Sequence, residues 1–353
     1  MLVYVAVALF PFLIGEMYKS DLKKNEKYVR AKRWIYILLA ALPMFVLIGF
    51  RNQNLGADTG VYLRHFSQIR KTSWSNLFDD TRMEYGYLIF VKIVGIFTKS
   101  QLMFQVICAT IYLIGILGFC NQLENSPFLF LFFFCTLGTF TFMFTGIRQC
   151  LAMSICLLSY RYVKRKKFWK FLFCVALAFF FHKSSILFVA VYIIYRRKFN
   201  LANLILYGII CIVSILFLDR IQEWLNSALD YDYEIESTGS GIVYFLFLTL
   251  LTAFSVFLII INKKMTKEAQ GLINVSIITV FFWALRLFTR VAERPSYYFL
   301  FFSFAMFVYA IQSIKDARER DIVKIFLILL CMALYIYRFM GNFASLVPYS
   351  FFS

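Results

Sequence analysis

The sequence has few charged residues and very few histidines. Only 16% of its 353 residues are charged and two are histidines, whereas 61% are hydrophobic. A soluble domain of this length does not bury so much apolar surface. Two histidines are too few to build a Cys/His zinc site with the eight cysteines, which form no Cys-x-x-Cys pair. We therefore predict an all-α polytopic integral membrane protein whose cysteines are buried, unreactive thiols.

The sequence also lacks the short motifs of familiar soluble enzymes. It contains no P-loop, no Gly-x-Ser-x-Gly, no His-Glu-x-x-His and no Rossmann glycine fingerprint, and we predict no cofactor and no metal site. Acidic residues are scarce, 19 against 37 Lys and Arg, which leaves a net charge of +18. The basic residues form short runs between apolar segments instead of one soluble patch, and this pattern sets membrane orientation. Membrane lipids are therefore expected partners, and nucleic acid is not.

Apolar runs between polar breaks predict a single transmembrane domain over residues 1–353, with ten crossings, two half-inserted hairpins and both termini outside. The stretch from Phe168 to Tyr195 lies between basic flanks but is too short for two full spans. We expect two half-length helices that meet at residues 182–185; one long tilted helix is the alternative. Residues 127–144 form the second predicted hairpin, with an external break at Thr145-Gly146. The predicted crossings are 2–18, 34–50, 85–98, 102–120, 147–160, 201–218, 242–261, 272–288, 297–312 and 325–340.

Two polar loops are expected on the outer face, at residues 51–83 and at the acidic segment 219–241. Ionisable groups at membrane depth are costly and usually face a cavity or a pathway. Guanidinium groups grip phosphate oxygens, and a carboxylate can accept a proton from an attacking hydroxyl. The polar residues on this face therefore predict a site for a phosphate-bearing ligand. They are Arg51, Asp58, Tyr62, Glu84, Arg148, Gln149, His182, Arg286, Arg290, Glu293 and Arg294.

Several of these residues also have a purely structural interpretation. Asp58 could cap a helix that begins at Thr59, and Glu84 could cap the next span. His182 could hydrogen-bond a backbone carbonyl that is freed at the helix break. The charged residues of 290–294 could form a surface salt-bridge cluster, because their spacing is that of neighbours on a helix.

Four polar motifs follow one another along the chain. They are Arg51…Gly56-Ala-Asp58-Thr59…Tyr62, Glu84-Tyr-Gly86-Tyr87, Thr145-Gly-Ile-Arg148-Gln149…Ala152 and His182-Lys-Ser-Ser. Their order resembles that of the EpsG family, the Wzy-type polymerases of bacterial capsule and exopolysaccharide synthesis. Arg290…Glu293-Arg294 and Pro348-Tyr349 are similar to further polar positions of that family, and the resemblance spans nearly the whole chain.

The resemblance implies a GT-C-like glycosyltransferase on the outer face of the bacterial cytoplasmic membrane. A glycan on undecaprenyl diphosphate would be transferred to the non-reducing-end sugar of the next lipid-linked oligosaccharide, with inversion at the anomeric carbon. Asp58 or Glu84 would be the general base, and His182 would share a proton with the acceptor or the diphosphate. A flippase and a chain-length regulator are conceivable protein partners. The implied substrate-binding residues are Arg51, Tyr62, Arg148, Gln149, Arg290 and Arg294.

Two other functional classes stay open at this point. A flippase for lipid-linked glycans would bind similar anionic ligands without bond chemistry, and its polar residues should line both halves of a path through the membrane. A membrane O-acyltransferase would need a catalytic histidine in a deep cavity, for which His182 is the candidate because His65 lies in the external loop.

Overall fold

The structure is a computed structural model that describes residues 1–79, 83–123, 126–221, 223, 241–341 and 346–352. Throughout these residues the regular structure is helical, apart from one isolated antiparallel bridge between Arg51 and Phe351. Short 3-10 helices cover Lys183–Phe188 and Arg290–Ala292. The α-helices are α1 Leu2–Lys24, α2 Glu26–Ala31, α3 Arg33–Gly49, α4 Thr59–Ile69, α5 Tyr85–Phe97, α6 Gln101–Asn121, α7 Pro127–Thr136, α8 Thr139–Phe142, α9 Ile147–Lys164, α10 Phe168–Phe179, α11 Val189–Ile194, α12 Leu201–Leu216, α13 Ile242–Ile261, α14 Lys267–Leu285, α15 Glu293–Ser313 and α16 Ala317–Met340.

Within the described residues, six helices are long and apolar enough to cross a membrane. They are Leu2–Lys24, Gln101–Asn121, Ile242–Ile261, Lys267–Leu285, Arg290–Ser313 and Ala317–Met340. Helical segments such as Arg33–Gly49 and Tyr85–Phe97 are apolar but shorter. The protein is therefore an all-helical polytopic membrane protein, as predicted. The ten crossings, their sidedness and the GT-C-like architecture stay predictions.

The apolar runs break where the sequence predicts. The run that begins at Pro127 is divided into three helices, and residues 143–146 separate α8 from α9. The run that begins at Phe168 is interrupted after Phe179, and helical structure resumes at Lys183. This second run is therefore not one continuous helix, and His182 lies in the interruption. How far either segment enters the membrane stays a prediction.

The chain divides into two compact units, one of residues 1–186 and 325–353 and one of residues 187–324. In the first unit α6 packs against both α3 and α9, and α9 packs against α10. The rings of Phe119 on α6 and Tyr160 on α9, for example, lie 5.0 Å apart. In the second unit α14 packs against α13 and α15, and α15 is buried along most of its length. The single transmembrane domain stays a prediction, and most of the acidic loop 219–241 lies outside the described residues.

Candidate active site

Arg51 is the buried cation at the start of the first external loop. Its side chain is fully buried, and its Nε and Nη2 lie 3.3 and 3.2 Å from the hydroxyl of Thr59. It also donates to the backbone carbonyls of Ile48 and Met143, and its guanidinium lies over the ring of Phe144. These partners are all uncharged and join the end of α3, the start of α4 and the break before α9. Arg51 therefore holds these segments together, and its predicted contact with diphosphate stays a prediction.

The Gly-Ala-Asp-Thr motif brings the loop against the break before α9. Gly56 has a φ of +89°, and a Cβ at this residue would lie 2.0 Å from the carbonyl oxygen of Phe144. Only glycine accepts both the left-handed backbone and this close approach. The hydroxyl of Thr59 lies 2.8 Å from the same carbonyl oxygen and within hydrogen-bond distance of Arg51. The motif thus packs the first loop against the break before α9.

Asp58 precedes α4 but does not cap it. Its half-buried carboxylate makes no hydrogen bond to the helix and no hydrogen bond or ion pair with any other described residue. The capping interpretation is therefore wrong for the side chain. The role of Asp58 as a general base stays a prediction.

Helix α4 presents Tyr62 to the site. The apolar residues of α4 recur at helical spacing, so that Tyr62, Leu63 and Phe66 are buried on one face. This packing directs the Tyr62 hydroxyl toward Arg148, whose Nε donates to it at 3.4 Å. The Tyr62 ring also meets the ring of Tyr87 edge-on, with centroids 6.0 Å apart. The first loop and the start of α5 are thus joined at one place.

Arg148 lies in the first turn of α9, directly after the break. It forms an ion pair through Nη1 with Oε2 of Glu84, which lies 64 residues earlier in the chain. The Arg148 side chain is 19% exposed, whereas that of Glu84 is 4% exposed. Gln149, the next residue, is buried. The pair therefore holds a cation at the edge of the buried region, where it could meet an anionic ligand.

Gly86 explains how Glu84 reaches its other partner. The backbone N–H of Gly86 donates to the carbonyl of Phe180 at 2.9 Å, and a Cβ at Gly86 would lie 2.6 Å from that oxygen. The missing side chain therefore allows the start of α5 to dock on the end of α10. In this position Oε1 of Glu84 lies 3.0 Å from Nδ1 of His182 and accepts from the backbone N–H of Lys183 at 3.4 Å.

The carboxylate of Glu84 thus spans the site instead of capping α5. Burial raises the pKa of Glu84, but the hydrogen bond from His182 and the charge of Arg148 outweigh burial and lower the pKa to about 2. A carboxylate this acidic is a weak proton acceptor at neutral pH. A neutral His182 that donates Nδ1–H to it carries its acceptor lone pair on Nε2. The arrangement therefore favours His182 as the base and Glu84 as the group that orients it.

The predicted residues of the second unit form their own cluster. The carboxylate of Glu293 accepts from Nε of Arg286 at 2.8 Å and from the hydroxyl of Tyr297 at 2.9 Å. Arg286 is buried, whereas Arg290 and Arg294 are exposed. Glu293 is therefore bound by the arginine that directly follows α14. A shared role of Arg290 and Arg294 with Arg148 stays a prediction.

The sequence did not reveal which groups pair with one another. The Glu84–Arg148 and Glu84–His182 contacts join residues 64 and 98 positions apart, which no local spacing indicates. The backbone N–H of Lys183 is a further partner that a sequence pattern cannot show. Among the described residues, no three or more His, Cys, Asp or Glu side chains are grouped as metal ligands.

Comparison with protein families gave a match over nearly the whole chain. A sequence model described as "EpsG family" matches residues 34–351, a range that contains all the site residues named above. Searches among curated proteins and solved structures gave no match. Because the family match covers nearly the whole chain, the protein belongs to the EpsG family.

Proposed function

We propose that this membrane protein is a polysaccharide polymerase. It transfers a glycan from undecaprenyl diphosphate to the non-reducing end of another lipid-linked repeat unit, on the outer face of the cytoplasmic membrane. Membership of the EpsG family supports a polymerase-type activity. The observation that carries the proposal is the buried Glu84 carboxylate, which holds Arg148 on one oxygen and His182 on the other. A cation suited to phosphate and a proton acceptor suited to a sugar hydroxyl are thereby held together.

In the proposed reaction, His182 is the general base. The acceptor hydroxyl attacks the anomeric carbon of the donor glycan, and its proton passes to Nε2 of His182. The bond between the anomeric carbon and the diphosphate oxygen breaks, and the diphosphate leaves with the electron pair. This single displacement inverts the anomeric centre. Glu84 keeps the imidazole oriented and stabilises the imidazolium that forms.

Arg148 stabilises the departing diphosphate in this scheme. Negative charge on the leaving oxygen grows toward the transition state, so a cation fixed beforehand stabilises the transition state more than the bound substrate. Arg148 is fixed by Glu84 and by the hydroxyl of Tyr62, and part of its side chain reaches the surface of the buried region. Tyr62 is then a positioning residue for Arg148.

The test is product formation by the purified protein with a lipid-diphosphate-linked repeat unit. Wild type should produce a ladder of longer lipid-linked glycans. His182→Ala and Arg148→Ala should each lower the rate by about 100-fold or more, which is the usual contribution of a general base or of a group that stabilises leaving-group charge. His65→Ala and Arg64→Ala are matched controls on α4 and should retain the wild-type rate.

Further outcomes distinguish the candidate bases and the alternative functions. Loss of activity in Glu84→Gln but not in Asp58→Asn would agree with a Glu84–His182 pair, whereas the reverse would assign the base to Asp58. A protein that binds the substrate but never lengthens it, across several repeat units, would be a transporter. An acylated glycan that is never lengthened, formed by wild type and by Arg148→Ala but not by His182→Ala, would instead favour an O-acyltransferase.

A further inference from the structure

The second unit contains a cavity of about 680 Å³ beside α12. Its walls come from residues 187–197, from the first two-thirds of α12 and from the second half of α14, and they are almost entirely apolar. Leu204, Phe281 and Phe282 are typical lining residues. α12 buries none of its own residues, so the cavity lies along a helix that the protein covers only in part. A cavity of this size is in the range that holds a small amphiphilic ligand.

Two polar side chains of this cavity have no hydrogen-bond partner among the described residues. The hydroxyl of Tyr207 is buried and makes no hydrogen bond with any described residue. Arg197 lines the same cavity within electrostatic reach of Tyr207, and its guanidinium makes no hydrogen bond or ion pair in the described part of the chain. A buried hydroxyl without a partner is unfavourable, so such groups usually bind water or a ligand. An anionic oxygen would satisfy both groups at once.

The dimensions of the cavity match one lipid chain. Its wall along α12, from Asn203 to Cys211, rises about 12 Å at the helical rise per residue, which is somewhat less than half of the hydrocarbon core of a bilayer. We propose that the cavity binds an acyl chain of an anionic phospholipid, with the phosphate at Arg197 and Tyr207. The apolar walls bind the chain, and the two polar groups select the head group.

The position of Arg197 distinguishes this ligand from the glycan-carrying substrate. Arg197 belongs to the basic run 196–198, and such runs are typical of cytoplasmic loops and attract anionic lipids of the inner leaflet. In the proposed function the substrate presents its diphosphate at the outer face of the membrane, whereas a basic run is typical of the cytoplasmic face. The occupant is therefore a phospholipid and not the polyprenyl carrier.

Native mass spectrometry of the purified protein, titrated with phosphatidylglycerol or phosphatidylcholine, tests this site. Phosphatidylglycerol should bind more tightly, and Arg197→Ala should weaken its binding about tenfold through loss of one charge-assisted contact. Gly208 lines the cavity and has open space at the position of a Cβ, so the indole of Gly208→Trp should obstruct the cavity and strongly weaken binding. The controls Arg318→Ala and Ile212→Trp change an exposed arginine and an exposed position of α12 outside the cavity lining, and should bind as wild type.

Three results would overturn the proposal. Unchanged phosphatidylglycerol binding in Gly208→Trp would show that the lipid binds elsewhere. Tighter, Arg197-dependent binding of undecaprenyl phosphate would assign the cavity to the glycan carrier. A dimer that Gly208→Trp dissociates, without any change in bound lipid, would assign it to a second copy of the chain. Each result is independent of polymerase activity.

Discussion

The Glu84→Gln variant tests the central interaction of the candidate site. Glutamine keeps the size and shape of the side chain but removes the negative charge, and its single amide oxygen can accept from only one of Arg148 and His182. Arg148 and His182 should stay in place in the variant because their side chains are only 19% and 7% exposed. The variant should therefore remove the anion that faces Arg148 at the edge of the buried region.

The size of the effect follows from the ionisation of Glu84. Burial raises its pKa, but the hydrogen bond from His182 and the charge of Arg148 lower it from 4.5 to about 2, a difference worth about 3 kcal/mol at neutral pH. Removal of one partner from a buried ion pair typically destabilises by about 3–5 kcal/mol, which agrees. Because the folded pKa is depressed, this stabilisation is present above pH 4.5 and is lost as the pH falls from 4.5 toward 2.

Thermal unfolding in detergent at neutral pH measures this loss. Glu84→Gln should lower the Tm on the order of 5 °C, given the usual relation between stability and Tm in a long chain. Glu26→Gln is the matched control because it breaks an ion pair with Arg30 whose side chains are 71% and 64% exposed. An exposed pair of this kind contributes little to the free energy of unfolding, so Glu26→Gln should change the Tm by less than about 1 °C. Equal Tm values for the two variants would refute the buried contact.

Two further variants test how the site is positioned. Gly86→Ala should lower both the Tm and polymerase activity because its Cβ would collide with a backbone carbonyl, whereas Gly60→Ala, whose nearest neighbour would lie 3.4 Å away, should change neither. Arg51→Ala should destabilise by about 1–3 kcal/mol in thermal unfolding because the Thr59 hydroxyl and two backbone carbonyls lose a buried donor, whereas Arg64→Ala at an exposed position should have no effect.

Most helix positions could be predicted from the sequence because lipid offers the backbone no hydrogen-bond partners. A segment in hydrocarbon must satisfy its own N–H and C=O groups, so a long apolar run becomes a helix. The run 242–261 was predicted with the bounds of α13, and the predicted span 85–98 differs from α5 by one residue. The interruption at His182 also followed from sequence, because 28 residues between two basic flanks cannot make two full spans.

Chemistry-bearing residues were visible for the same reason. Arg148 stands in an apolar stretch, where an ionisable side chain is costly and calls for a partner. The sequence could not say what that partner is. Asp58 and Glu84 were equivalent candidates, since each precedes a helix and each belongs to a polar motif. Spacing along the chain does not distinguish them.

The tertiary structure shows that these two carboxylates have different contacts, whereas the catalytic role of either one stays a prediction. The close approach of Gly86 to Phe180 carries Glu84 to Arg148 and His182, whereas Asp58 is left without a side-chain partner among the described residues. Arg51 resembled a phosphate ligand in the sequence, but packing buries it completely against uncharged acceptors. Composition and patterning thus determined that this chain forms apolar helices with a polar site. Which side chains form that site depends on contacts between residues far apart in sequence, and these exist only in the folded chain.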